Sequence, residues 1–403
     1  MSALIAARNL AAAAWNRAAK QMRAYNRRWK RAAKGARESG KHLRAQIRRG
    51  GARGRDAAQQ AYSTTVKTTR TSERWRQEVW SAMSLEMSVR RELRSAARGS
   101  GPIVVGPWLS EVGYEALYWV PFVRWFADHY RVAPDRLVVV SRGGVAGWYA
   151  DVASRYVEIL DLFTPEEVAQ AAEARRGAGD QKQLTMAPFD RAIIARVGQQ
   201  LGAGVQVCHP STMFRLLRRF WLGTESLQHV FDHTSYRLMP PAPAVAVPSL
   251  PASFIAVKLY TGRALPESDE TRAALVTLID RVRRNRPVVL LDTGLTLDEH
   301  RDYSQLGLPD VYTLGDALTP QNNLGVQTEV IRRADLFVGT CGSLAWMAPM
   351  LGTDTLAVYT DSYLLAPHLY AASQVYRRIA AASFSPLDLT ALRTIQLPAL
   401  PGA

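Results

Sequence analysis

Two carboxylates stand four residues apart just after a short apolar run. The run is residues 103–105, and Glu111 and Glu115 follow it. Residues four apart share one face of a helix, so both carboxylates would face the same side if a helix begins at Val112. Burial beside apolar aromatic residues raises the pKa of a carboxylate, which suits a general base for an acceptor hydroxyl group. Glu111 is the first candidate for that base and Glu115 the second. The alternative for Glu111 is a structural carboxylate that complements the helix dipole.

A turn of small residues late in the chain suits a diphosphate. Residues 336–338 are an apolar run typical of a buried parallel strand. Gly339, Gly342 and Ser343 then allow a tight turn into a helix, and Gly352 would end that helix. Free N–H groups and the dipole at the start of such a helix favour a pyrophosphate group. The alternative is a turn without a ligand, because any doubly wound domain also contains such turns.

Cations stand at two further strand exits. Arg142 follows the apolar run 137–140, and Lys258 and Arg263 flank the end of the run 254–260. A cation at the second exit could neutralise a leaving diphosphate without a metal. The alternative for Lys258 and Arg263 is a solvated surface position. The histidines are scattered without the spacing of metal ligands, so we predict no bound metal.

Apolar runs of strand length alternate with helical patterns from residue 101 onwards. This alternation predicts an α/β fold with two doubly wound, Rossmann-like domains. We place the first domain at residues 101–240 and the second at 253–403. Residues 241–252 form a proline-rich linker, since proline is excluded from helix interiors and central strands. Ligands of such sheets bind outside the carboxyl ends of the strands, where the candidate residues lie.

Charge separates the first hundred residues from the rest. Residues 1–100 carry 24 Lys and Arg and 6 Asp and Glu, whereas the other 303 residues carry 27 and 29. Ala-rich stretches that mix Arg with Trp and Tyr predict a basic helical extension. One explanation is that residues 1–98 bind an anionic membrane surface or, as a second choice, nucleic acid. The others are a solvated extension without a partner, or a start codon placed upstream of the true one.

Cysteine content and hydropathy bear on the compartment. Cys208 and Cys341 are the only cysteines, which argues against a disulfide framework or a zinc cluster and favours a reducing compartment. No run of about 18 apolar residues predicts a membrane-spanning helix. Residues 1–10 lack the residue order of a secretory signal. We therefore predict a cytoplasmic protein, peripheral at the inner face of the membrane if its basic arm binds lipid.

Two motifs resemble those of a known family. One runs from Asn323-Leu324 through a short helix to Arg333-Ala334-Asp335-Leu336-Phe337-Val338-Gly339-Thr340, a Gly-Ser turn and Ala348-Pro349-Met350-Leu351-Gly352-Thr353. It resembles the donor-binding half of GT-B glycosyltransferases, above all the heptosyltransferase and O-fucosyltransferase-like groups, over residues 254–360. The other, Pro107-Trp108-Leu109-Ser110-Glu111-Val112-Gly113-Tyr114-Glu115, is similar to a motif of bacterial GT-B proteins with an acidic residue at the first strand exit.

The resemblance implies a glycosyltransferase with a nucleotide sugar in the second domain and an acceptor in the first. It implies direct displacement with inversion at the anomeric carbon, and domain closure across the linker that excludes water. The implied donor-side residues are Lys258 and Arg263 for charge, Gly339, Thr340, Cys341, Gly342 and Ser343 for the diphosphate, and Thr313, Gly315 and Asp316 beside the base and ribose. The acceptor-side residues are Trp108, Ser110, Gly113, Tyr114 and Arg142. The acceptor would be a glycan, a lipid-linked glycan or another hydroxyl compound.

Two other classes of function stay open, because one fold hosts many activities. The first is a non-catalytic protein that binds nucleotides or glycans. The second is a transferase that acts on modified DNA, with residues 1–98 supplying affinity for the nucleic acid.

Overall fold

The computed structural model describes residues 84–180, 182–241, 245–284, 286–293, 301–303 and 311–390. Residues 1–85 and 86–403 are two compact units, and the fold below is that of the second. The predicted basic extension therefore lies mostly outside the described residues. Among the residues that the structure describes, no helix is long and apolar enough to cross a membrane.

The first sheet has four parallel strands in the order β3-β2-β1-β4. Its strands are β1 (Ile103–Val105), β2 (Leu137–Ser141), β3 (Arg155–Glu158) and β4 (Gln206–Cys208). Val104 lies opposite Val138 on one side and Val207 on the other. β1 and β2 are buried along their whole length, as expected for parallel strands covered by helices on both faces.

Six helices accompany this sheet. They are α1 (84–98), α2 (Val112–Tyr114, then a π-helical turn at Glu115–Trp119 and Val120–Tyr130), α3 (Pro165–Gly177), α4 (Pro188–Leu201), α5 (Pro210–Trp221) and α6 (Leu227–Phe231). Proline at the first helical position starts α3, α4 and α5, where its missing N–H group costs no hydrogen bond. Short 3₁₀ turns occur at Pro134–Arg136, Val145–Tyr149 and Ile159–Asp161.

The second sheet has six parallel strands in the order β10-β9-β8-β5-β6-β7. Its strands are β5 (Ile255–Lys258), β6 (Val288–Leu290), β7 (Tyr312–Thr313), β8 (Leu336–Thr340), β9 (Thr355–Tyr359) and β10 (Phe384–Asp388). Its helices are α7 (Asp269–Arg283), α8 (Asn323–Arg333) and α9 (Ala366–Arg378). Counted from β5, the strand order is that of a dinucleotide-binding Rossmann domain. The predicted fold of two Rossmann-like α/β domains is confirmed.

The helix predicted after Ser343 is wrong. The chain forms two 3₁₀ segments there, Ser343–Trp346 and Ala348–Leu351. Pro349 has no N–H group to donate to the carbonyl of Ala345, which disfavours a regular α-helix through this position. Gly352 ends the second segment with a φ of 89°, as predicted.

One apolar cluster runs through both sheets. It includes Trp119 and Trp148 from the first part and Phe337 and Met350 from the second. Polar contacts tie the same two faces together. The indole N–H of Trp148 donates to Thr328 Oγ1 at 3.0 Å. The two sheets therefore share a core rather than only a linker.

Backbone meets backbone where α8 approaches the loop after β2. The N–H of Gly325 donates to the carbonyl of Gly143 at 2.9 Å. A Cβ at position 325 would lie only 2.5 Å from the carbonyl oxygen of Gly144. Glycine at 325 is therefore required by the closeness of the two backbones and not by its own conformation.

We predict that Gly325→Ala destabilises the protein although alanine favours helix. The alanine methyl group must push the two backbones apart, which should lower the free energy of unfolding by about 1–3 kcal/mol. Gly198→Ala is the matched control in α4, because its methyl group would meet no atom closer than 3.8 Å. That change should be neutral or stabilise by up to about 1 kcal/mol. Urea unfolding of both variants tests this, and equal stabilities would contradict the close approach.

Candidate active site

Each sheet has one point where the strand order reverses, and a ligand is expected outside the carboxyl ends of the strands there. The strand order reverses between β1 and β4 in the first sheet and between β5 and β8 in the second. Ligands of open α/β sheets bind outside the carboxyl ends at such reversals. β1 leads into residues 106–115 and β8 into residues 341–343, so both predicted loops leave a reversal point.

These two loops touch each other at Gly113. A Cβ at Gly113 would lie 2.7 Å from the backbone nitrogen of Ser343 and 2.9 Å from Cδ1 of Trp346. Only glycine allows this approach without displacing a neighbour. Glu111 stands two residues before this contact in the sequence.

Glu111 is the accessible carboxylate of the first loop. It immediately precedes α2 in an extended conformation, and its side chain is 46% exposed. Its carboxylate forms an ion pair with Lys182, whose ammonium nitrogen also lies 3.8 Å from the centre of the Tyr114 ring. The predicted base is thus reachable by a substrate and has a cation beside it.

Lys182 was not predicted from the sequence. Its neighbour Gln183 is fully buried with a φ of 43° and clamps the first loop from the side. Gln183 Nε2 donates to the carbonyl of Pro107 at 3.1 Å, and the N–H of Leu109 donates to Gln183 Oε1 at 2.9 Å. These bonds fix the backbone beside Lys182. A Lys-Gln pair in a polar loop carries no sequence signal for such a position.

Glu115 cannot serve as the second base in this structure, because its side chain is fully buried. Ser141 Oγ and the hydroxyl of Tyr149 both donate to Glu115 Oε1, at 2.6 and 2.7 Å. Oε2 is buried without a hydrogen-bond partner. Burial raises the pKa of Glu115 to about 7, against the hydrogen bonds from Ser141 and Tyr149, which lower it. The raised pKa expected at this loop is therefore found on the carboxyl group that no acceptor can reach.

Three predicted acceptor-side residues are buried and support the first loop by packing and hydrogen bonding. Trp108 is fully buried and stacks on Trp119 and Phe214, with ring centres 5.7 Å apart in both cases. Arg142 is buried and donates through Nη1 to the carbonyl of Ser110 at 3.1 Å. We therefore correct the assignment of Trp108, Ser110 and Arg142 from acceptor contacts to support of the loop.

Tyr114 joins the two sheets through His368. Its hydroxyl lies 3.0 Å from His368 Nε2, and the hydroxyl of Tyr118 lies 2.8 Å from Nδ1. Burial, with a smaller effect of the Lys182 charge, lowers the pKa of His368 to about 3. His368 is therefore neutral, and it donates to one hydroxyl and accepts from the other.

The predicted diphosphate residues divide into two groups. Thr340 and Cys341 are buried, and Thr340 Oγ1 both donates to the carbonyl and accepts from the N–H of Tyr260, at 3.0 and 2.9 Å. Gly339 lies within β8, where a Cβ would be 2.6 Å from Cε1 of Phe337. These three shape the strand end. We correct the assignment of Thr340 and Cys341, since neither side chain is accessible.

The second group is the Gly342–Ser343 turn. Both residues have positive φ, 136° and 41°, and both are half-buried. The backbone N–H groups of a turn can donate hydrogen bonds to an anion. Gly342 also has no room for a side chain, because a Cβ would lie 2.9 Å from the hydroxyl oxygen of Tyr260. Of the predicted diphosphate residues, these two remain available to a ligand.

The predicted cations of the second sheet are in different situations. Lys258 Nζ lies 2.7 Å from Asp302 Oδ1 and donates to the carbonyl of Leu291 at 2.9 Å. Its charge is therefore already compensated. Arg263 is exposed. Asp292, which was not predicted, lies near the same pair, and burial with the Asp302 charge raises the pKa of Asp292 to about 6.

The residues predicted beside the base and ribose lie toward the far edge of the second sheet. Thr313 ends the edge strand β7, and Gly315, with a φ of 50°, opens a 3₁₀ turn, Gly315–Ala317, that contains Asp316. β7 lies three strands from β8, which corresponds to about 14 Å. A nucleotide laid across the strand ends would span such a distance.

Metal ligands do not cluster in this site. No group of three or more His, Cys, Asp or Glu side chains suitable for a metal occurs among the residues that the structure describes. His209 lies 3.2 Å from Asp190 and accepts from the N–H of Ser211, so both of its ring nitrogens have structural partners.

Comparison with known proteins finds likeness in three-dimensional structure only. No family model matches the chain, and no curated protein matches it. Glycosyltransferases are among the similar solved structures. E. coli heptosyltransferase WaaC with ADP is 13% identical, with a TM-score of 0.35, over 73% of this chain and 98% of that one. The family 9 glycosyl transferase from Veillonella parvula is 12% identical, with a TM-score of 0.37, over 73% and 96%.

A third similar structure is the iron-containing dodecameric glycosyltransferase TibC from enterotoxigenic E. coli. It is 12% identical, with a TM-score of 0.31, and the match covers 64% of this chain and 58% of the length of TibC. Heptosyltransferases, one of the groups that the sequence motifs resemble, are thus among the similar structures. TM-scores below 0.5 and identities near 13% carry neither an activity nor a substrate over to this chain.

We predict that Glu115→Gln changes the pH dependence of stability. Folded Glu115 keeps its proton up to about pH 7, whereas the ordinary pKa of a glutamate is 4.5. The folded state then binds more protons between these values, so wild-type stability falls as pH rises through this window. The neutral glutamine avoids that loss. Its stability relative to wild type should improve by about 2 kcal/mol between pH 5 and pH 8.

Urea unfolding at both pH values measures this difference, with Glu173→Gln on α3 as the exposed control carboxylate. An unchanged difference between Glu115→Gln and wild type would show that Glu115 is not held in its neutral form.

Proposed function

We propose that the protein is a glycosyltransferase that moves a sugar from a nucleoside-diphosphate donor to an acceptor hydroxyl group, with inversion at the anomeric carbon. The observation that carries the proposal is the contact between the two loops. Gly113 of the first loop lies against Ser343 of the second, and Glu111, whose carboxylate is accessible, stands two residues before Gly113. A general base and an anion-binding turn at the junction of two Rossmann-like domains suit this reaction.

The donor lies on the second sheet in this proposal. Its diphosphate accepts hydrogen bonds from the backbone N–H groups of the Gly342–Ser343 turn. Its nucleoside extends over the ends of β5 and β6 toward Thr313, Gly315 and Asp316. Exposed Arg263 is near enough in sequence to the β5 exit to add charge at the diphosphate.

The reaction is a single displacement. Glu111 removes the proton from the acceptor hydroxyl as its oxygen attacks the anomeric carbon. The bond between that carbon and the diphosphate oxygen breaks, and the nucleoside diphosphate leaves with the electron pair. The attacking oxygen enters opposite the leaving group, so the configuration inverts. Backbone N–H groups stabilise the charge that develops on the leaving oxygen.

The acceptor binds on the side of the first sheet, next to Glu111 and Tyr114. Tyr114 is half-buried and offers the edge of an aromatic ring to a sugar. A glycan, a lipid-linked glycan and another hydroxyl compound all fit this description. The predicted cytoplasmic location at the inner face of the membrane and the partners of residues 1–98 stay predictions.

We predict that Glu111→Gln abolishes most of the transfer activity without abolishing donor binding. An amide cannot accept the hydroxyl proton, so kcat should fall by about 10²–10⁴-fold. The variant should fold normally, because an exposed ion pair contributes about 0–1 kcal/mol to stability. The measurement is product formation by the full chain with a panel of UDP, GDP, ADP, CMP and dTDP sugars. Glu173→Gln is the matched control, and full activity of Glu111→Gln would exclude Glu111 as the base.

A second expected outcome concerns metals. The proposal assigns charge stabilisation to backbone N–H groups and side-chain cations, so EDTA should leave the rate of transfer unchanged and added Mg²⁺ or Mn²⁺ should not raise it. The assay is the same product measurement with and without an excess of chelator. Loss of activity that Mg²⁺ or Mn²⁺ restores would contradict metal independence while leaving the transfer reaction in place.

A further inference from the structure

On the second sheet, exposed Arg263 is a candidate partner for the charge on the donor diphosphate, whereas Lys258 is not. The best-placed cation, Lys258, is held between Asp302 Oδ1 at 2.7 Å and the carbonyl of Leu291 at 2.9 Å. Its charge is already neutralised, so it adds little to the binding of a dianionic or trianionic group. A leaving diphosphate nevertheless needs positive charge in the transition state.

Lys182 is a partly exposed cation beside the first loop, on the side of the first sheet. Its ammonium group pairs with Glu111 and lies over Tyr114, the residues on either side of the Val112–Gly113 contact with Ser343. Within the described part of the chain, Glu111 is its one ion-pair partner. The charge of Lys182 also acts on His368, which belongs to the second half of the chain.

The backbone beside this lysine is held by hydrogen bonds, whereas its ammonium group is at the surface. Gln183, fully buried, holds the adjacent backbone to Pro107 and Leu109 through two hydrogen bonds. The Lys182 side chain is 35% exposed. A lysine ammonium on a four-carbon stem is a mobile point charge with three donors, so it can exchange partners without movement of the backbone.

We propose that Lys182 is shared between Glu111 and the donor diphosphate. In the donor-free protein it pairs with Glu111; when the donor binds at the Gly342–Ser343 turn, it turns to the diphosphate and leaves Glu111 free to accept the acceptor proton. This inference rests on the proposed transfer reaction. It makes Lys182 a donor-binding residue and makes the availability of the base depend on the presence of the donor.

Charge decides the direction of the exchange. At equal distance and equal dielectric constant, attraction to a group of charge −2 is about twice the attraction to one carboxylate. The pair that must be broken is exposed, and such pairs stabilise proteins by only about 0–1 kcal/mol. The ammonium group over the Tyr114 ring gains a cation–π attraction in the donor-free protein.

The first test is binding of UDP, GDP, ADP, CDP and dTDP to the full chain by isothermal titration calorimetry. Lys182→Met should weaken the nucleotide that wild type binds by about tenfold, as loss of a charged hydrogen bond predicts, and Lys182→Arg should restore most of that loss. Glu111→Gln should strengthen binding by about two- to fivefold, since no ion pair must then be broken. If the ion pair only stabilised the fold, substitutions of Lys182 and of Glu111 would not change nucleotide affinity in opposite directions.

Arg281→Met is the matched control for charge. Arg281 is exposed in the last turn of α7, at the edge where the strands of the second sheet begin, opposite the site. If Lys182→Met binds the nucleotide as tightly as Arg281→Met does, the proposed role of Lys182 is wrong, while the proposed transfer reaction is unaffected. Absence of binding by wild type to every nucleotide would instead overturn the proposed function, and this inference with it.

The second test follows the lysine itself. Lys182 is one of seven lysines in the chain, so reductive methylation with ¹³C gives a small set of methyl signals. The signal that is missing in Lys182→Arg belongs to Lys182. Saturation with the bound nucleoside diphosphate should shift this signal, because the ammonium group leaves Glu111 and changes its position over the Tyr114 ring. A signal that stays at its nucleotide-free position while the nucleotide is bound would overturn the exchange.

Discussion

The close approach of two backbones is the constraint on which the rest of the structure depends. Gly113 lies against Ser343, and Gly325 lies against Gly144, at distances that leave no room for a Cβ. Side chains at these positions would separate the two sheets by the width of at least one methyl group. The separation of the first loop and the Gly342–Ser343 turn is therefore set by peptide groups packed on one another, which vary little, and not by long side chains.

Of the two acidic residues of the first loop, Glu115 is buried and Glu111 is accessible. Glu115 is enclosed by Ser141 and Tyr149, and burial raises its pKa, but no solvent or substrate reaches it. Glu111 is exposed and carries a cation beside it. Desolvation shifts the pKa of a carboxylate only where water is excluded, so one residue cannot easily have both a large shift and an open path to the acceptor. The buried glutamate is then part of the support for the accessible one.

The shared core limits how the two halves can move. Closure about the proline-rich segment would have to disturb contacts such as Trp148 with Thr328 and the backbone bond from Met239 to Met350. Pro240, the residue before that segment, is also bonded to the second half, since its carbonyl accepts from Arg332. The expectation of a wide domain closure therefore has little support. Movement of exposed side chains such as Lys182 requires no change in these contacts.

The sequence by itself predicted most of the strands and the alternation that makes two parallel sheets, whereas β3, β4, β10 and the helices α3 to α6 and α9 were not predicted from it. Local periodicity and glycine positions report such features, because they depend on neighbours along the chain. It also selected Glu111 and the Gly342–Ser343 turn. Only the tertiary structure decided that Glu115, Trp108 and Thr340 are buried, that Lys258 is neutralised by Asp302, and that Lys182 meets Glu111. Glu111 and Lys182 are 71 positions apart in sequence and meet only because α3, the Gln183 side chain and β1 pack together. No local sequence pattern predicts such a contact.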